Sequence, residues 1–443
     1  MTGLAYVVAP VSLYFFVRYL TQRDFPAVVA GLAYSLLPSM AYLIPAEYHV
    51  AARMYLAPKA LISLLLYGEG AHIFARVLLP VVAIAFLELF RKKTRCAFIF
   101  SILGLTAIAL TSMTALQGFF LILFIILVSE LLQGDIRRKL VLLFLSLFIA
   151  GGLTAFWFTI PFLRASLSFA GGAGFIGNLY WLIPPGLPLG LVVVLCFKDK
   201  PKLQPLFIAA GMALLFATVI FSWFLLEVKF LPFANRYLPE LDMAISMLIG
   251  MGVGFIRQKL AKAICLGIII LIGCPFLSHA WLITAGREDL SSTTEFQVSK
   301  WLADRVEGER VFCTGTHAFW LNFFTDVPQI RGGTDFAAVN PWWHHVSYQI
   351  VRGADPMPSI LWAKAFNVKY IVVNYPESEV WYKDYLYPEK FENTLPVRYS
   401  KNGDKIFEVP LLRPELVQAV DLKEFHNLPL ISHVVNDTDK VRK

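Results

Sequence analysis

The 443-residue sequence is 57% hydrophobic and only 16% charged, with a mean hydropathy of +0.63. Soluble domains carry about 25% charged and about 45–50% apolar residues, so a soluble globular enzyme and a disordered chain are both excluded. The formal net charge of +8 invites a nucleic-acid partner, and the placement of the charges removes that reading.

A membrane-spanning helix needs about 20 mostly apolar residues. Ten segments are predicted, at 3–20, 26–44, 72–90, 96–112, 115–133, 139–161, 185–197, 204–226, 240–256 and 261–282. The stretch 55–67 is apolar but too short to cross, and reads as an interfacial or re-entrant piece. Residues 1–283 hold 21 Lys/Arg against 10 Asp/Glu, a net of +11. Residues 284–443 hold 18 against 21, a net of −3. Of the membrane part's basic residues, 15 fall in the loops after odd-numbered segments: Arg18 and Arg23; Arg91 to Arg95; Arg137 to Lys139; Lys198 to Lys202; Arg257 to Lys262. The other loops hold 6. Cytoplasmic loops collect Lys and Arg, so the N-terminus and the C-terminal domain are expected outside the cytoplasm. The basic excess is then a topology signal. A nucleic-acid binder would concentrate it on the polar domain, which is net acidic, so no nucleic-acid partner is expected.

The expected architecture is a polytopic α-helical membrane domain over 1–283, a small extracytoplasmic α/β domain over 284–410 and a tail over 411–443. In the α/β domain, Glu295–Leu302 reads as an amphipathic helix with Ser291, Ser292 or Thr293 as its cap. Arg310–Cys313 reads as a short strand and Val368–Asn374 as a buried one. Two further strands flank the turn Lys401-Asn402-Gly403-Asp404, whose Asn-Gly pair is a hairpin signal. Cys313 is the single cysteine of this domain, and no zinc-type CxxC spacing occurs.

Several residue groups can carry chemistry. The loop from Pro45 to His72 holds Glu47, His49, Arg53, Lys59, Glu69 and His72 among apolar residues. Ionisable groups at membrane depth are costly and tend to mark function, although an interfacial loop with snorkelling side chains explains them equally well. Arg236, just before the ninth segment, can clamp a lipid phosphate, since a guanidinium matches phosphate bidentately. Glu240 and Asp242 follow and can hold Mg²⁺ or Mn²⁺; the competing reading is an Arg–Glu pair at a helix start. Trp342, Trp343, His344 and His345 form an aromatic and imidazole cluster, with Trp320, Asn322 and Asp326 upstream. Such rings stack on sugars or rest in the headgroup zone. The sequence has no Walker motif, no dinucleotide-binding glycine fingerprint and no Gly-x-Ser-x-Gly elbow.

Many outward-facing helices followed by an outer α/β domain resemble the GT-C class of integral-membrane glycosyltransferases. Phe233–Gly254 and Trp320–Asn340 look closest to a prokaryotic membrane family, itself GT-C-like, labelled "6-pyruvoyl-tetrahydropterin synthase-related". The clustered zinc–histidine spacing of the pterin enzyme is absent. The resemblance implies a polyprenyl-phosphate sugar donor, a membrane lipid environment, and an acidic catalytic residue in an outer loop. Glu47 and Glu69 take the catalytic place, and Arg236, His49, Arg53, Trp342, Trp343 and His344 are the substrate-binding candidates. Glu240 and Asp242 are the candidate metal ligands. The first segment here resembles the second span of the class, so the class's own first helix and catalytic loop are expected to be missing. The oligosaccharyltransferase branch's Trp-Trp-Asp-Tyr-Gly has only Trp342, Trp343, His344, His345 as its counterpart. The alternative is a non-catalytic scaffold or lipid-handling protein of cell-envelope glycan assembly. A transporter fits less well, because the charges cluster near segment ends and no inverted repeat is apparent.

Overall fold

The computed structural model describes residues 2–45, 48, 61, 63–64, 69–169, 200–228, 230–231, 233–285, 289–331, 343–380 and 383–411. The chain divides into two compact units, Met1–Leu163 with Ala170–Gly286, and Arg287–Lys443 with Arg164–Phe169.

The first unit is helical: α1 (Thr2–Thr21), α2 (Asp24–Leu36), α3 (Gly70–Lys92), α4 (Arg95–Thr111), α5 (Met113–Leu131), α6 (Ile136–Thr154), the start of α7 (Ile160–Phe169), α8 (Gln204–Leu226), α9 (Leu238–Phe255) and α10 (Lys259–Ala285). Six stretches are long and apolar enough to cross a membrane: Gly3–Thr21, Gly70–Lys92, Met113–Leu131, Pro201–Leu226, Ala234–Phe255 and Lys259–His279. Among the described residues these six stand against the ten segments expected from hydropathy. Helices α2 and α4 are apolar but have only 13 and 17 residues. The reason for the first is local. Leu37 precedes Pro38, whose ring disfavours a helical neighbour, so Leu37 is extended (φ −75°, ψ 148°) and α2 stops. A 13-residue helix rises about 20 Å, well short of a hydrocarbon core of about 30 Å. Helix α4 ends because Ser112 turns extended and caps α5 by accepting from the Ala115 N–H at 3.2 Å. Helix α6 begins on Arg137, Arg138 and Lys139. The predicted segment 185–197 and most of 55–67 lie outside the described residues.

Helices that meet within lipid gain little from hydrophobicity and associate through close packing. Helix α9 does this with Gly250 and Gly254, which lie against Pro26 and Ala30 of α2. A methyl group added at Gly250 would meet the Ala30 Cβ at 2.8 Å and collide with the Pro26 carbonyl oxygen. At the end where α3 and α5 finish, Glu130 is buried and fully engaged. It accepts from Arg91 Nε (2.8 Å) and Gln204 Nε2 (2.7 Å), and Lys139 Nζ lies 3.3 Å from its Oε2. Four helices are thus tied through one carboxylate, with every charge paired as low polarity demands.

The second unit contains α11 (Thr294–Ala303), β1 (Arg310–Phe312), α12 (Gly315–Phe324), α13 (Trp343–Arg352), α14 (Pro356–Ala365), β2 (Val368–Asn374), β3 (Val397–Lys401) and β4 (Asp404–Glu408). Thr293 is the residue that caps α11, accepting from the Phe296 N–H. The strands form one sheet in the order β1-β2-β4-β3, with β1 parallel to β2 and the other pairs antiparallel. Asn402 (φ 52°) and Gly403 (φ 76°) both adopt the left-handed conformation that a tight two-residue hairpin requires. Alternate strand residues feed two cores. Val311, Cys313, Tyr370 and Val372 pack with Val298 and Leu302 of α11 and with Ala318 and Leu321 of α12. Phe312, Ile371 and Val373 pack with Trp343 of α13 and Ile360 of α14 on the other face.

Asp404 joins the layers. It is fully buried and accepts from Thr294 Oγ1 (2.7 Å), Asn374 Nδ2 (2.8 Å) and Ser378 Oγ (2.7 Å), with His317 Nε2 at 3.3 Å. Burial opposes its ionisation, but His317 and the amide and hydroxyl donors prevail and hold the carboxyl below its ordinary range.

Candidate functional site

The first unit carries a chain of ionisable side chains at the ends of α2, α3 and α9. Glu69 precedes α3 and does not cap it with its side chain. Its carboxylate turns instead to Arg236, whose Nε lies 2.7 Å from Oε1. Arg236 sits in the short 3₁₀ turn Ala234–Tyr237 that leads into α9, its guanidinium 4.5 Å from the Phe233 ring centre. One turn on from Glu69, His72 is flanked by two carboxylates. Its Nδ1 is 3.4 Å from Glu69 Oε2 and its Nε2 is 2.8 Å from Glu240 Oε1. The helical period of 3.6 residues puts Arg76 on the same face one turn further along. Arg76 is 5% exposed, packs over the Tyr34 ring at 5.2 Å, and interacts electrostatically with both Glu240 and Asp242.

Asp242 fixes the segment that follows α2. It accepts from Ser39 Oγ (2.6 Å) and from the Met40 N–H (2.8 Å). Tyr237, fully buried, donates to Gln117 Oε1 at 2.7 Å and anchors the start of α9 to α5. Six ionisable groups (Glu69, His72, Arg76, Arg236, Glu240 and Asp242) therefore share one small region.

A cavity of about 260 Å³ opens beside them. Arg76 and Asp242 supply its charged wall, and Tyr6, Pro10, Tyr34 and Leu277 supply much of the rest. Two atoms of the cluster lack a hydrogen-bond partner among the described residues: Arg76 Nε and Glu240 Oε2. Pro10, inside α1, has no N–H, so the Tyr6 carbonyl loses its helical donor at the level of the cavity. A buried guanidinium with a spare donor, beside aromatic walls, suits an anionic ligand that also has an apolar portion.

Of the residues singled out from the sequence, Glu69, Arg236 and Glu240 are brought into one chain of contacts, and Asp242 joins through Arg76. Glu47, His49 and Arg53 lie outside the described residues, as do Trp342 and the side chain of His344. Trp343 is 4% exposed and packs between Phe312 (6.2 Å) and Phe366 (5.8 Å), so its ring belongs to the core of the second unit and is not offered to a ligand. Glu240 and Asp242 do not converge on a common point. Residues two apart on a helix point about 200° from each other. One carboxylate meets His72 and the other is filled by Ser39 and Met40. This donor set does not fit a divalent ion held by both. Among the described residues, no group of three or more His, Cys, Asp or Glu side chains is placed to hold a metal.

Arg76 is not among the sequence-derived candidates, because hydropathy and loop-charge counting treat it as one more outer charge. The signal was present: it is an arginine inside the apolar run of α3, four residues after a histidine.

Fold and site together define a multi-pass helical membrane protein with a buried charge cluster and a separate small α/β unit. Compared with known proteins, the chain matches no family model and no curated protein.

Proposed function

We propose that the protein holds a polyprenyl-phosphate-linked sugar in the cavity beside Arg76 and acts on it as a GT-C-like glycosyltransferase. The observation that carries this reading is the buried Arg76, whose Nε has no hydrogen-bond partner among the described residues, in the wall of a cavity otherwise lined largely by aromatic and aliphatic residues. Arg76 would pair with the donor's phosphate, and the Tyr6 and Tyr34 rings would pack on the first isoprene units. Transfer would break the bond between the sugar's anomeric carbon and the phosphate oxygen. An acceptor hydroxyl would form the new bond, and the lipid phosphate would leave with the bonding pair. Glu69, held by Arg236 and His72, would take the hydroxyl proton. The loop charges support an extracytoplasmic position for this end of the helices.

A non-catalytic lipid-handling role is favoured by one observation: Glu69 and Glu240 each already face Arg236 or His72, which suits a structural cluster as well as a base. The two readings separate in nanodiscs loaded with a polyprenyl-phosphate hexose and a hydroxyl acceptor. A glycosyltransferase transfers the hexose, and Glu69→Gln abolishes transfer while leaving donor binding within about twofold. Donor binding without transfer by the unaltered protein selects the lipid-handling role. Absence of donor binding overturns both.

A further inference from the structure

Helix α12 has an inverted surface. Its buried face holds Gly315, His317, Ala318 and Leu321, the last two reaching the sheet core. A solvent-facing helix face is normally charged or polar. Here it presents Phe319 at 53% exposure, Trp320 at 39% and Phe323 at 68%, and the helix has no charged residue at all. The rings are preassembled. Trp320 meets Phe323 edge-on at 5.3 Å and stacks on Phe324 at 5.6 Å, and Phe324 is met edge-on at 5.1 Å by Phe296 of α11. Contiguous exposed aromatic surface of this kind marks an interaction site.

We propose that the Phe319–Trp320–Phe323 face of α12 inserts into the interfacial zone of the lipid bilayer and holds the second unit on the membrane surface. Three observations select lipid over a protein or glycan partner. First, the patch stands where the chain enters this unit. Phe296, in the first turn of α11, touches Phe324, and only five residue steps separate Ala285, the end of membrane helix α10, from Leu290 just before α11. Those steps span at most about 18 Å. Second, α10 has 27 residues and rises about 40 Å, enough to cross a hydrocarbon core of about 30 Å and emerge in the headgroup zone. Third, the exposed residues are Trp and Phe, the kind of apolar face with which an interfacial helix enters the headgroup–acyl boundary, where the indole N–H can stay hydrated while the rings are buried. The second half of the chain is net acidic and Asp326 lies exposed after α12, so docking rests on aromatic burial and not on attraction to anionic lipid.

The full chain carrying a photoreactive benzoylphenylalanine at position 323 is reconstituted in nanodiscs and irradiated, and the adducts are read by mass spectrometry. The control position is Met357, 44% exposed on α14, which packs on the opposite face of the sheet. Position 323 is expected to yield phospholipid adducts at least about fivefold above position 357, in phosphatidylcholine and in phosphatidylglycerol discs alike. Protein–protein adducts dominating at 323, or equal lipid yield at the two positions, overturn the proposal. A lipid adduct at 323 that appears only in phosphatidylglycerol also overturns it. Because Phe319, Trp320 and Phe323 face solvent, a second variant, Phe319→Ser with Phe323→Ser, retains the fold. It is expected to raise protease sensitivity between α10 and α11, and unchanged cleavage contradicts the anchoring role.

Discussion

Replacing Arg76 with Met removes the one cation among the described residues of the cavity wall while keeping an unbranched side chain that reaches as far as the Arg Nε. A guanidinium and a phosphate about 4 Å apart attract by about 4 kcal/mol at an effective dielectric constant near 20. The net worth of a hydrogen bond to a charged group, after desolvation, is about 1.5–3 kcal/mol. Taking the smaller range, donor binding should weaken by about 10-fold to 150-fold. The cluster also loses a charge facing Glu240 and Asp242, but both acids keep partners: His72 for the first, Ser39 and Met40 for the second. The fold should therefore persist, with a lower melting temperature. Arg76→Lys controls for this. It restores the charge without the planar fork and should recover part of the affinity. The assay is native mass spectrometry of nanodisc-embedded protein titrated with polyprenyl-phosphate hexose, alongside thermal unfolding in detergent. Equal donor affinity for Arg76→Met and the unaltered protein would refute the assignment of the cavity to the lipid phosphate. So would a loss that follows unfolding in both variants.

Gly250→Leu forces α9 away from Pro26 and Ala30 and should prevent recovery of monodisperse protein, whereas Gly250→Ala should cost about 1–3 kcal/mol, read as a lower melting temperature. Glu130→Ala strands Lys139 and Arg91 without their shared carboxylate and should cost about 3–5 kcal/mol. The Glu130→Met, Lys139→Met double variant should regain much of that; equal instability of the two would contradict the pairing. In the second unit, the Asp404 carboxyl sits below its ordinary range, so its contribution is complete above the unfolded-state value near 4 and fades as pH falls through the lower folded value. Limited proteolysis across pH should show the unit opening in that acid window. Asp404→Asn should destabilise it at pH 7 and flatten the pH dependence; a profile unchanged by the substitution would remove Asp404 as the acid-sensitive group.

Local chemistry determined much of this protein. Helices α3, α8, α9 and α10 are legible as apolar runs of spanning length, because a helix satisfies its own backbone and needs only composition to be recognised. The β3–β4 hairpin follows from Asn402-Gly403, since few residue pairs accept two left-handed conformations in succession. The end of α2 was written in Pro38, but a hydropathy reading averages over that signal and carries the segment to residue 44. What only the tertiary structure decided is which charges meet. Glu69, His72 and Arg76 are neighbours in sequence, but Arg236, Glu240 and Asp242 reach them from more than 150 residues away, and Ser39 meets Asp242 from across the bundle. The same holds for rings that look alike in sequence: Trp343 went into a core and Trp320 stayed at a surface. Side-chain pairing and exposure depend on how helices approach in space, which here rests on small residues such as Gly250, and no single-chain pattern encodes the partner.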